Sequence, residues 1–132
     1  MDINLPKLPI AFMNEDHAHA KSLWRSMQAA MADYPAQAAP LAAACHAFLE
    51  HNRAHFAREE AIMQEYAFPP YAIHKAEHDR ILIRLAEIAS LADAGGSVEE
   101  LKAAINFEVP NWLVQHVQSM DTVTARWIAS QV

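Results

Sequence analysis

Apolar side chains recur in this chain at intervals of three and four residues, and they do so in four separate stretches. The first stripe is Met13, His17, Ala20, Trp24, Met27, Met31 and Tyr34. The second is Leu41, Cys45, Phe48, Asn52, His55, Glu59, Ile62 and Tyr66. A third follows as Tyr71, His74, His78, Ile81, Leu85 and Ile88, and a fourth as Val98, Leu101, Ile105, Trp112, His116, Met120 and Val123. This is the period of an amphipathic helix, and no stretch alternates long enough to argue for a strand. The pattern predicts an all-α chain, folded as an up-down-up-down four-helix bundle whose stripes face one axis.

The breaks between stripes are chemically marked. Residues 1–11 hold two prolines and read as an extended N-terminal arm strapped over a bundle of about residues 12–129. The first helix is expected to start near Asn14, a good capping residue, and Pro35 with Pro40 brackets the first turn. The second helix is expected over Leu41 to Tyr66, after which the tandem prolines of "FPPY" disfavour continuation. "DAGGS" ends the third, and Ser97 with Glu100 has the spacing of a capping box for the fourth. Pro110 lies inside the fourth stripe, so a kink near Asn106 or a break there is expected.

Composition narrows the class. The chain has 132 residues, the size of one domain, with two glycines and much Ala, Leu, Met and Glu. A net charge of -6 and the lack of a Lys/Arg patch weigh against nucleic acid as a partner. No run is long enough to span a bilayer or to serve as a signal peptide, so a cytoplasmic chain with no membrane segment is expected. The single cysteine, Cys45, excludes an intrachain disulfide and reads as a small buried hydrophobe.

Polar residues interrupt every stripe, and they are metal-ligand types. His55 and Glu59, then His74 and His78, stand four apart and so share a helix face, while "HVQSMD" adds His116 and Asp121. Imidazole and carboxylate without clustered thiols suit a first-row transition metal better than a structural zinc site. With turn centres near residues 38, 68 and 95, His17 and Glu59 lie at one level. His78 and His116 differ by four residues, roughly 6 Å of rise, which tilt and side-chain length can absorb. The candidates on all four helices therefore converge on one layer. His17 belongs to the first stripe, whereas His19 points about 200° away from it. Asp121, five residues after His116, would point about 140° away on an ideal helix, so the helix must bend or the side chain reach sideways, a π-bulge being one solution.

Here the chain resembles the hemerythrin family of non-haem di-iron proteins. The likeness runs through "FMNEDH", "HFAREE", "HKAEH" and "WLVQHVQSMD", which match in order the family's first-helix histidine, HFxxEE, HxxxH and HxxxxD segments. The resemblance implies that His74, His78 and His116 hold one iron and that His17 and His55 hold the other. Glu59 and Asp121 would bridge the two iron ions (Fe2+/Fe3+), with an oxo or hydroxo group as third bridge and one position open for dioxygen. Trp112 and Leu113 match the family's apolar wall around the oxygen pocket; ordinary core packing is their other reading. Asn14 stands where the family often has an aspartate. His51 reads as a pocket-lining donor or as a polar residue at the helix seam, His46 as a surface residue, and Glu60 as exposed unless it supports a ligand histidine.

Five neutral imidazoles with only two carboxylates give the metals little negative charge, which suits reversible ligand uptake better than oxygen cleavage. Reversible dioxygen binding for carriage, storage or delivery is therefore the expected function. The alternatives are a sensor of oxygen, redox state or nitric oxide acting through a partner, and an enzyme turning over peroxide or nitric oxide. No additional acid, base or nucleophile in the sequence points to the enzyme.

Overall fold

The computed structural model describes residues 2–132, and these form four long helical rods with no strand among them. Helix α1 spans Ala11–Met31, α2 spans Ala38–Glu65 and α3 spans Tyr71–Asp93. The fourth rod, α4, covers residues 98–131 and is built of three α-helical segments joined by two π turns, Ala104–Glu108 and Val117–Asp121. Short connections between the rods give the up-down-up-down bundle, in which α2 packs between α1 and α3, and α1 also meets the first π turn of α4.

Two helix starts fall earlier than the sequence suggests. Helix α1 begins at Ala11 rather than near Asn14, because Asn14 caps nothing. Its amide instead donates to the Leu8 carbonyl (2.7 Å) and accepts from the Leu8 N–H (2.8 Å), stitching the arm to the first turns. The arm also buries Ile3 and Leu8, and Asp2 pairs with Lys21 and Arg25. Helix α2 begins at Ala38, with Pro40 inside its first turn, where a missing N–H breaks no helical bond. Helix α3 ends on Gly95 at φ +67°, with the Gly96 N–H reaching back to the Leu91 carbonyl. Ser97 then accepts from the Glu100 N–H and opens α4.

Pro110 shapes the first π turn. The Val109 N–H bonds five residues back to the Ala104 carbonyl, and the next bond in that series, to Ile105, would need the N–H that Pro110 lacks. The indole N–H of buried Trp24 supplies it, donating to the Ile105 carbonyl at 2.8 Å. The break expected near Asn106 is thus a wide turn whose orphaned acceptor is satisfied from α1.

Each π turn shifts the phase of the stripe. Leu101, Ile105, Val109, Leu113 and Val117 form the buried seam of α4, followed by Asp121, Thr124, Ala125 and Ile128. Val123, on the stripe that the uninterrupted helical period suggests, is 57% exposed. Trp24, Phe48, Phe56, Met13 and Leu41 fill the core, each worth about 1.5–3 kcal/mol of transfer free energy. No helix among the described residues is long and apolar enough to cross a membrane.

Candidate metal centre

The four rods deliver their polar interruptions to one place. His17 comes from α1, His55 and Glu59 from successive turns of α2, His74 and His78 from successive turns of α3, and His116 and Asp121 from the two sides of the second π turn. None of these seven side chains belongs to a residue more than 5% exposed. The π turn performs the local work: Thr122 N–H bonds to the Val117 carbonyl five residues back, and Thr122 Oγ1 donates to the same oxygen at 2.7 Å. The added residue swings Asp121 back beneath His116, so that His116 Nε2 and Asp121 Oδ1 stand 3.0 Å apart.

The donor atoms fall into two groups. Glu59, His74, His78, His116 and Asp121 form one, and His17, His55 and Asp121 the other, with the ligand-type atoms of each group within 4.8 Å of one another. Asp121 reaches both sides: Oδ2 is 3.0 Å from His17 Nε2, while Oδ1 is 3.1 Å from His74 Nε2. Glu59 lies likewise between α2 and α3, its Oε1 being 2.9 Å from His55 Nε2 and 3.5 Å from His78 Nε2.

These residues fit a cation better than they fit one another. His55 Nε2, His78 Nε2 and both oxygens of Glu59 are buried with no hydrogen-bond partner, since the close approaches lack hydrogen-bond geometry. His74 Nε2 and His116 Nε2 face each other at 3.4 Å. Buried polar atoms left unpaired are rare and costly, and several lone pairs aimed at one point are what a metal ion satisfies.

The far nitrogens of three histidines are tied down. His55 Nδ1 meets Asp16 Oδ2 at 2.8 Å, His78 Nδ1 meets Glu60 Oε2 at 2.8 Å, and His74 Nδ1 meets Thr124 Oγ1 at 2.8 Å. An Nδ1–H donated outward leaves Nε2 as a bare lone pair pointing inward, the tautomer a metal requires. Asp16 and Thr124 did not stand out in the sequence, although Asp16 is the neighbour of His17. Glu60, exposed by default in the sequence reading, is instead half-buried because its side chain turns inward to His78.

Charge in the cluster is strongly polarised. Burial, and then Asp121 beside it, pushes the Glu59 carboxyl well above its ordinary range. Burial acts on Asp121 in the same sense but is outweighed by His116, His17 and His74, which hold its carboxyl well below that range. His78 is pushed down to about 2 by burial and by the facing His74 and His116. A site that keeps an imidazole neutral so firmly keeps its lone pair available to a cation.

Aromatic rings close the centre. Phe56 lies parallel to His78 at 3.9 Å, and Trp112 stacks on His116 at 5.0 Å while its indole N–H donates to Glu77. Leu113 is buried in the same core cluster as Phe56. His51 lies at the α1–α2 seam: its Nε2 donates to the Asp16 carbonyl at 2.9 Å, its ring is parallel to that of His55 at 6.2 Å, and it meets the exposed His19 edge-on. His46 pairs with Asp93 at the surface, and the buried Cys45 thiol is pushed up to about 11, first by burial. A cavity of about 340 Å³ between the arm and α1 reaches His17, walled by Leu5, Pro6, Lys7, Asn14, Ala18 and Lys21.

Comparison with known proteins places this arrangement. Residues 8–128 match the model of the hemerythrin HHE cation binding domain. A bacteriohemerythrin of Ralstonia nicotianae is 36% identical over 96 residues, covering 73% of this chain and 69% of that protein. One from Aquifex aeolicus is 36% identical over 72 residues, covering 54% of this chain and 55% of the other. The crystal structure of a hemerythrin with a leucine-to-tyrosine substitution superposes with a TM-score of 0.79 at 21% identity, over 90% of this chain and 88% of that one, a likeness of fold. With a matching family model over nearly its whole length and a relative of this similarity, the chain belongs to the hemerythrin family.

Proposed function

We propose that this protein binds two iron ions between its four helices and takes up dioxygen there reversibly, for carriage, storage or delivery. His74, His78 and His116 would hold one ion and His17 and His55 the other, with Glu59 and Asp121 shared between them. The observation that carries this reading is the unequal division of the donors: three imidazoles gather on one side and two on the other, while Asp121 points one oxygen to each side. The two-imidazole side has fewer protein donors, and cavities reach a histidine on each side, one of about 340 Å³ at His17 and one of about 300 Å³ at His74.

Iron, when bound, supplies electrons that dioxygen accepts and returns. The protein's own part is to position and to exclude. Phe56 covers the His78 ring and Trp112 the His116 ring, so these two imidazoles of the three-imidazole side are shielded by aromatic faces. Asp16, Glu60 and Thr124 orient the imidazoles, and buried Glu59 and Asp121 balance the cationic charge in a medium where it interacts strongly. Imidazole-rich coordination leaves the metals comparatively poor in negative charge, which favours release over cleavage of the bound molecule.

The test is anaerobic purification with metal quantification and an absorption spectrum before and after oxygen. Two irons per chain and a visible band that appears with oxygen and disappears when it is removed are expected. Irreversible oxidation on first exposure, or a centre that takes up no iron from ferrous salt, overturns the reading.

A further inference from the structure

Both metal groups contain one histidine whose outer nitrogen rests on a carboxylate, yet the two carboxylates are neutralised to different degrees. Asp16, which anchors His55, is gripped by the Arg58 guanidinium, with Nε at 3.0 Å and a second nitrogen on the same oxygen. Glu60, which anchors His78, has only Lys75 Nζ at 3.8 Å, and that ammonium is held closer by Asp79, at 3.0 and 3.1 Å. A guanidinium fork hydrogen-bonded to a carboxylate cancels much of its field. A more distant ammonium already paired with another acid cancels little.

A carboxylate accepting Nδ1–H makes the imidazole a stronger donor at Nε2, and the effect grows with the negative charge left on the acceptor. The push on the three-imidazole side is therefore the larger. Thr124, a neutral hydroxyl, anchors His74 there without adding charge, and His116 Nδ1 has no partner. With His17 Nδ1 likewise unpartnered, the difference in charge among the outer partners of the histidines is Glu60 against the Asp16–Arg58 pair.

We infer that Glu60, acting through His78, and Arg58, acting through Asp16 and His55, set the two metal positions at different reduction potentials, the position beside His78 being the lower. Both are positioning residues: neither stands among the atoms that face the metal groups. The inference rests on the di-iron reading above. With iron bound, each ion would give one electron in turn to a redox mediator, the one beside His78 and its less neutralised Glu60 first.

The experiment is anaerobic spectroelectrochemistry of the iron-loaded protein and two variants, with iron content measured on each sample. Glu60→Gln keeps an acceptor for His78 but removes the charge, and it is expected to raise the lower potential and leave the upper one in place. Arg58→Gln changes an exposed side chain and frees the charge of Asp16, and it is expected to lower the upper potential. Opposite shifts that both narrow the gap are the signature, since a merely structural disturbance has no reason to move the two steps in opposite senses. Glu60→Ala removes the acceptor as well, and zinc should then bind to the metal-free protein about 10–100-fold more weakly. Iron-loaded variants whose potentials stay put, or shift the same way, overturn the inference while leaving the metal centre intact. A wild-type chain that takes up no iron overturns both readings.

Discussion

The two π turns of α4 have the same length and opposite origins. The turn at Ala104–Glu108 sits just ahead of Pro110, and Trp24 from α1 supplies the donor that the proline cannot. The turn at Val117–Asp121 has no proline. It is held by the Thr122 hydroxyl on the Val117 carbonyl and by what it achieves, the return of Asp121 to His17, His74 and His116. One distortion answers a local defect in the chain, and the other serves side chains as far as 104 residues away. Irregular backbone can be a repair or an instrument, and the partner of the freed group tells which.

That distinction can be broken experimentally. Asp121→Ala removes what the second turn is for, and bound metal should fall by half or more from the proposed two ions per chain, measured by metal analysis after reconstitution. Thr124→Val, one turn later, takes away the acceptor of His74 Nδ1 while keeping shape, and titration should show metal affinity about 10–100-fold weaker. Trp24→Phe acts on the first turn alone. It leaves the buried Ile105 carbonyl unpaired and should cost about 1–3 kcal/mol in chemical denaturation with metal content unchanged. Thr122→Val removes the half-buried hydroxyl brace of the second turn, for about 0.5–1.5 kcal/mol in the same measurement. If Trp24→Phe were to empty the metal site while Thr124→Val left it full, the assignment of repair to one turn and instrument to the other would be reversed.

Much of the fold was legible in the sequence because burial on a helix leaves a period. The stripes of α1, α2 and α3 follow the pattern, since nothing shifts their phase. In α4 the pattern misleads after Ile105, because each π turn inserts a residue: His116 stays buried as expected, but Val109 and Leu113 take the seam, Val123 is carried to the surface, and Thr124 with Ile128 goes inside. Helix starts were the other weak point. Asn14 has the chemistry of a cap, but a hydrogen-bonding side chain goes where acceptors and donors are nearest, and here those are on Leu8.

The centre itself was legible in part. Histidine and carboxylate at four-residue spacing inside apolar stripes stand out, because a polar group in a core needs a reason. Asp16, Glu60 and Thr124 do not, since an acid beside a histidine or next to another glutamate is ordinary on a surface and only packing turns it inward. His51 shows the converse: one turn from His55 and of the right type, it spends its donor on the Asp16 carbonyl.

By itself the sequence determined the number of helices, the buried stripes of the first three, and that metal-ligand types interrupt every stripe, for helical periodicity is written residue by residue. The tertiary structure alone decided which outer nitrogens are anchored, which carboxylate keeps its charge, and how Asp121 reaches both donor groups. Those outcomes depend on distances between rods far apart in the chain, and on a single added residue in a helical turn, neither of which local spacing encodes.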